Sequence, residues 1–180
     1  PLMNKLRPIL LRPGIRAIFG QTEPRFALSD VFTKRRILLV DLGKGQLGAE
    51  GARLMGSLIM ALLWQASLAR VATPAIQRHA VQIVVDEMQD YVGWQTDLGD
   101  ALAQARGLGV GFTLAHQHLG QLSSRLQADV LANAQNRVSF RLGSADAKVL
   151  AGLTGGQLEA ADFTAQGAYE AYAGLLRDGS

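Results

Sequence analysis

The sequence predicts an α/β fold, a mostly parallel sheet with helices on both faces, and three observations carry that expectation. Short aliphatic runs recur at 37–42 (ILLVDL), 81–85 (VQIVV) and 110–115 (VGFTLA), each the length of a strand and each followed by polar, charged or glycine residues. Stretches with apolar residues at helical spacing lie between them. Every connection is long enough for the crossover that a parallel pair requires. Ligands of such sheets gather at the carboxyl ends of the strands, which directs attention to residues 41–45, 86–87, 116–117 and 143–146.

Taken in order, residues 1–36 read as an irregular lead-in rich in proline and arginine, with a short helix near 15–20. The run at 37–42 reads as a buried parallel strand ended by GKG. Leu47, Leu54, Leu58, Leu62 and Leu68 then mark a helix over 47–71, in which Gly48, Gly51 and Gly56 weaken the helix but permit close packing. After a loop at Thr73-Pro74 comes the strand 81–85, closed by Asp86 and Glu87. A helix over 97–106 is stopped by Gly107 and Gly109, and a strand follows at 110–115. The remainder reads as a helix at 123–134, a strand at 137–142 and a helix N-capped by Ser144. A turn at Gly155-Gly156, a helix near 157–161 and a last strand around 168–175 complete the chain.

Composition excludes several classes. The 180 residues include 48% hydrophobic and 18% charged residues, so there is enough apolar material for a real core and little charge to cover it. Faces covered by a partner or by further chain are therefore expected. There is no cysteine, which removes disulfides, thiolate metal sites and cysteine nucleophiles. His79, His116 and His118 lack an acidic cluster that would make a zinc site. A net charge of +3 permits nucleic-acid contact without arguing for it. Arg125, Arg137 and Arg141 read as scattered surface charge, and Trp64 and Trp94 as core or interface anchors. No secretory signal is visible, and the uncharged stretch 54–69 is short for a membrane helix and reads as a core helix. A chain that begins at Pro1 reads as a piece of a longer protein.

The sharpest chemical signal is VQIVVDE. At the end of a parallel strand, Asp86 can hold Mg²⁺ through water, and Glu87 can polarise an attacking water as general base. A strand followed by an acidic turn is the plain alternative. Gln117 closes the next strand, where a neutral amide can bond both a phosphate oxygen and the lytic water, or can simply cap the chain that follows. Arg106 ends the helix between these strands; a cation there suits the helix dipole, and its planar fork also suits a neighbouring subunit's phosphate.

The runs VVDEMQDY, LAQARGLGVGFTLAHQHLGQL and NAQNRVSFRLGSADAKVLAGL together resemble the HerA–FtsK branch of P-loop ATPases, above all the conjugative coupling proteins and related type IV secretion ATPases. The upstream ILLVDLGKGQLGAEGARLMGSLIMALLWQASLAR is similar as well, so the resemblance spans roughly residues 12–178. It implies that 37–180 form the C-terminal part of a RecA-like ATPase domain, with ATP and Mg²⁺ as cofactors. Asp86 and Glu87 would be the Walker B pair, Gln117 the sensor glutamine, and Arg106 an arginine acting in trans. It further implies a homo-hexameric ring that pumps DNA, working in the cytoplasm at the inner face of the membrane with secretion machinery as partner.

The sequence departs from that family in one essential respect: no G-x-x-x-x-G-K-[ST] loop is present. In GKGQLG at 43–48 the lysine precedes the turn and no Ser or Thr follows, which favours a flexible turn into a helix. The phosphate loop and its strand are expected from a preceding segment of the same protein. Without them the chain should bind ATP weakly or not at all and tend to associate through unpaired strand edges. Two alternatives stand beside the DNA motor: an ATPase of the same superfamily acting on protein, and a non-catalytic relative that folds against a partner. A nicotinamide-binding domain is set aside, although GKGQLG at 43–48 has the G-x-G-x-x-G spacing of its phosphate grip.

Overall fold

The computed structural model describes residues 7, 11–23, 25–92 and 98–176. The chain is mixed α/β and divides into two compact units, Pro1–Ala115 and His116–Ser180. Trp94 and Asp97, for which an anchor and a helix start are expected, lie outside the described residues.

In the first unit, α1 (Pro13–Phe19) and α2 (Asp30–Thr33) precede the long α3 (Lys44–Leu68). Pro13 opens α1, where a missing N–H costs nothing. α3 is interrupted at Gly48, whose φ of 69° and ψ of 160° lie outside helical space. Leu47 before that break and Gly51, Ala52, Met55, Gly56, Leu63 and Ser67 beyond it are the buried residues of the helix. The small residues among them let neighbours approach: Ile15 of α1 packs against Gly51, forming a cluster with Leu47 and Ala52. By length and composition residues 44–72 would also suffice to cross a membrane. Here the helix packs on protein, with Trp64 tilted against Phe112 at 6.5 Å and Ser57 Oγ donating to Tyr91 O at 3.2 Å.

β1 (Val81–Val85) and β2 (Val110–Leu114) pair in parallel, Val81 opposite Val110 and Val85 opposite Leu114, with α4 (Leu98–Ala105) in the connection. This pair is the crossover unit expected from the two aliphatic runs. Ile83 and Val85 are buried while Gln82 and Val84 face solvent, so one face of the sheet is covered and the other open.

The expected strand at 37–42 is not formed. The segment makes no ladder bonds, and Ile37 and Leu39 are 90% and 88% exposed. With β1 and α3 it lines a cleft of ≈ 1130 Å³. Among the described residues the parallel sheet therefore has two strands.

The second unit holds α5 (Ser124–Asn133), β3 (Arg137–Ser139), α6 (Ser144–Gly152), α7 (Ala160–Ala165) and β4 (Tyr172–Gly174). Ser123 caps α5 by accepting from Leu126 N–H at 3.3 Å. β3 and β4 pair antiparallel, Arg137 opposite Gly174, instead of joining the parallel sheet. α6 and α7 lie in the connection between them. α7 starts at Ala160, later than expected, behind Gly155 and Gly156, whose φ values of 64° and 84° make the anticipated turn. α6 is capped at Gly143, with Ser144 its first helical residue and no side-chain cap bond. Phe163 meets Tyr172 edge-on at 5.4 Å, and Gln166 Nε2 donates to Ser139 O at 3.2 Å, tying α7 to the β3–β4 pair.

Candidate functional site

β1 ends at Val85, and the parallel pairing continues one step further on either side of the acidic pair. Ala115 N–H donates to Val85 O at 2.9 Å, and Met88 N–H to Ala115 O at 2.9 Å. Between these two bonds the chain makes a tight turn. Glu87 takes up the left-handed conformation, φ 49° and ψ 47°, which for a side chain of this size is uncommon. Its own N–H donates to Asp86 Oδ1 at 2.9 Å, and its carboxylate accepts from Gln89 Nε2. Met88, fully buried, anchors the turn from below. Asp86 is exposed and Glu87 half-buried, so both carboxylates sit at the carboxyl end of a parallel strand.

A third acidic residue of this turn has no signal in strand pattern. Asp90, at the end of the 3₁₀ turn Met88–Asp90, has a side chain 9% exposed and accepts from Lys44 Nζ at 2.7 Å and Arg53 Nε at 3.3 Å. The hydrogen bond from Lys44 holds the Asp90 carboxyl below the usual carboxylate range, against the opposing effect of burial, and the same bond raises the Lys44 ammonium. The GKG turn is thereby tied to the acidic turn. Burial, with the charge of Asp90 second, pushes the Tyr91 phenol up. The Tyr91 ring fills the space over Gly56, where no Cβ fits.

Arg106 follows α4 in the 3₁₀ turn Arg106–Leu108 and is exposed. Gly109, with φ 68°, turns the chain into β2. Since β1 and β2 are parallel and in register, Arg106 stands at the strand-start end of the sheet and Asp86-Glu87 at the other, about 16 Å of strand apart. Its turn is held by two arginines that strand pattern does not reveal. Arg78 donates to Gly107 O at 2.6 Å and Thr73 O at 2.8 Å, and Arg70 donates to Gly109 O at 3.3 Å and to His79 O. Arg70 is buried beneath the ring of Phe32, 5.3 Å from its centroid; burial, then the nearby Arg78, lowers its guanidinium from the usual value.

Gln117 belongs to the second unit and is exposed. Its N–H and that of His118 donate to Gln121 Oε1 at 3.2 and 3.3 Å, so Gln121 caps the 3₁₀ turn Leu119–Gln121. Leu119 N–H donates to Asp146 Oδ2 at 2.9 Å, which gives one of the strand-end acids a structural use. Of the basic trio, Arg137 donates to Leu131 O at 2.6 Å, and Arg125 lies 3.9 Å from Asp129.

Among the described residues no three His, Asp or Glu side chains converge as a metal cage. A single solvent-facing carboxylate at a strand end, Asp86, nevertheless fits Mg²⁺, which takes one or two carboxylates and completes its shell from phosphate and water. No family model, no curated protein and no solved structure matches the chain.

Proposed function

We propose that this chain is the C-terminal part of a RecA-like ATPase domain in a DNA-translocating motor of the HerA–FtsK kind. The observation that carries the reading is the acidic pair itself: two adjacent carboxylates at the carboxyl end of a parallel strand, the second held in a left-handed turn by Gln89. Backbone strain of this kind costs about 1–3 kcal/mol, and a glycine would remove it. Retaining a glutamate there favours a use for its carboxylate over a plain acidic turn. In this reading Asp86 holds Mg²⁺ and Glu87 activates water, while Gln117, in the second unit, keeps the sensor role that the resemblance implies.

Arg106 supports the multimeric part of the proposal. Standing at the far end of the sheet from its own acidic pair, it would serve a nucleotide bound to a neighbouring subunit, as in a homo-hexameric ring. The phosphate loop and its strand would come from a segment preceding Pro1 and would complete the sheet beside β2. DNA as substrate, the cytoplasmic face of a membrane and secretion machinery as partner follow from the same resemblance.

Reading the coding sequence upstream of Pro1 tests the proposal. An in-frame G-x-x-x-x-G-K-[ST] after a strand-like run is the expected result. A start codon directly before Pro1 would overturn it in favour of a non-catalytic relative. Salt-sensitive stimulation of ATP turnover by DNA would separate the DNA motor from an ATPase acting on protein.

A further inference from the structure

Arg106 is exposed at the start of the turn RGLG between α4 and β2, and among the described residues its guanidinium has no hydrogen-bond or ion-pair partner. Gly107 and Gly109 would leave such a turn free to sample many backbone conformations. Here it is fixed carbonyl by carbonyl. Arg106 O accepts from Gly109 N–H at 3.1 Å, and Gly107 O accepts from Arg78 Nη1 at 2.6 Å. Gly109 O accepts from Val81 N–H at 3.0 Å and from Arg70 Nη1 at 3.3 Å. The remaining donors of the two guanidiniums reach backbone outside the turn. Arg78 Nε donates to Thr73 O at 2.8 Å and Nη2 to Val71 O at 3.3 Å, while Arg70 Nη2 donates to His79 O. A Cβ on Gly109 would stand 3.5 Å from Arg78 Cβ and 3.6 Å from Arg70 Nη2, so both arginines close on that residue.

Stapling carbonyls needs donors but not charge. Both staples are nevertheless cations, and among the described residues neither pairs with a carboxylate. Arg70 is 7% exposed beneath Phe32, and burying a guanidinium without a counter-charge is costly. What the two charges add is a positive potential around the turn, which draws an anion toward Arg106.

We propose that Arg70 and Arg78 are positioning residues for Arg106. They hold its turn in a single conformation and set the field in which its guanidinium meets the phosphate of a nucleotide on a neighbouring subunit. A misplacement of about 1 Å at such a group costs on the order of a hundredfold in rate, which is why a glycine-rich turn carrying it needs external support. The inference rests on the proposed trans role of Arg106 and extends it to two residues that touch neither nucleotide nor reacting atoms.

The test uses the natural gene product that contains this chain and reads Mg²⁺-dependent ATP turnover. Arg106→Ala should lower kcat by about 10³-fold or more and Arg78→Ala by about 10²-fold, each with little change in KM. Mixed subunits separate positioning from general damage. A Glu87→Gln subunit keeps its arginines, and an Arg78→Ala subunit keeps its acidic pair, so their mixture should recover turnover to about tenfold or more above either alone. Arg78→Lys and Arg70→Lys keep the charge and lose the planar fork, should fold like the unaltered protein, and should reproduce most of the loss. The lysine variant carries the same mixing test if Arg78→Ala does not fold. In Arg78→Lys the Gly109 amide should also exchange about tenfold or more faster, a measurement that needs no nucleotide. Full turnover by either lysine variant, or unchanged exchange at Gly109, would overturn the inference. So would recovery by Arg106→Ala with Glu87→Gln that Arg78→Ala does not share; the trans role would then stand and Arg78 would be a general structural staple. No recovery in either mixture, or no turnover by the unaltered protein, would overturn the trans reading of Arg106 and this inference with it.

Discussion

Replacing Asp90 with Asn tests the link between the GKG turn and the acidic turn. The substitution keeps the shape and removes the charge that Lys44 and Arg53 share. A hydrogen bond to a charged group is worth about 1.5–3 kcal/mol, but both cations are more than half exposed and solvent screening discounts the gain. A loss of about 1–2 kcal/mol is expected, or a fall in Tm of about 2–8 °C for a chain of this size. The pH dependence has a definite sign. Asp90 is depressed below its unfolded value of about 3.9, so its contribution is present above that pH and disappears as pH falls through the folded value. Thermal melts of both proteins from pH 3 to 8 should therefore show a constant gap near neutrality that closes in acid. An unchanged Tm at pH 7, or a gap that persists fully at the lowest pH, would refute the reasoning.

Two further substitutions probe packing and capping. Gly56→Ala places a methyl 2.9 Å from Leu42 Cδ1 and into the Tyr91 ring, and should destabilise the first unit by about 1–3 kcal/mol, read by denaturant titration. Ser123→Ala removes the acceptor for Leu126 N–H and should cost about 1 kcal/mol, read as faster amide exchange in the first turn of α5.

The parallel pair was legible because VQIVV and VGFTL carry enough aliphatic residues to identify strands, and the helix between them forces a crossover. ILLVDL has the same composition, yet composition does not report whether a partner edge lies within bonding distance, and here a cleft intervenes. RVSFRL was readable as a strand but not as antiparallel, because nothing in its own residues reports the direction of the strand it pairs with. The Asp86-Glu87 pair and Arg106 stood out by position relative to strands. Asp90, Arg70 and Arg78 did not. Their partners are distant in sequence, or are backbone carbonyls that any residue supplies, so nothing in a local pattern marks them. The left-handed turn at Glu87 was equally hidden, since glutamate is not a residue that announces positive φ.

The most direct test of the central claim is Mg²⁺-dependent ATP turnover by the natural gene product that contains this chain, compared with its Glu87→Gln variant. If Glu87 activates water, the variant retains ATP binding while turnover falls by about 10²–10⁴-fold, the usual contribution of a general base. Turnover unchanged by Glu87→Gln, in a protein that hydrolyses ATP, would contradict the account.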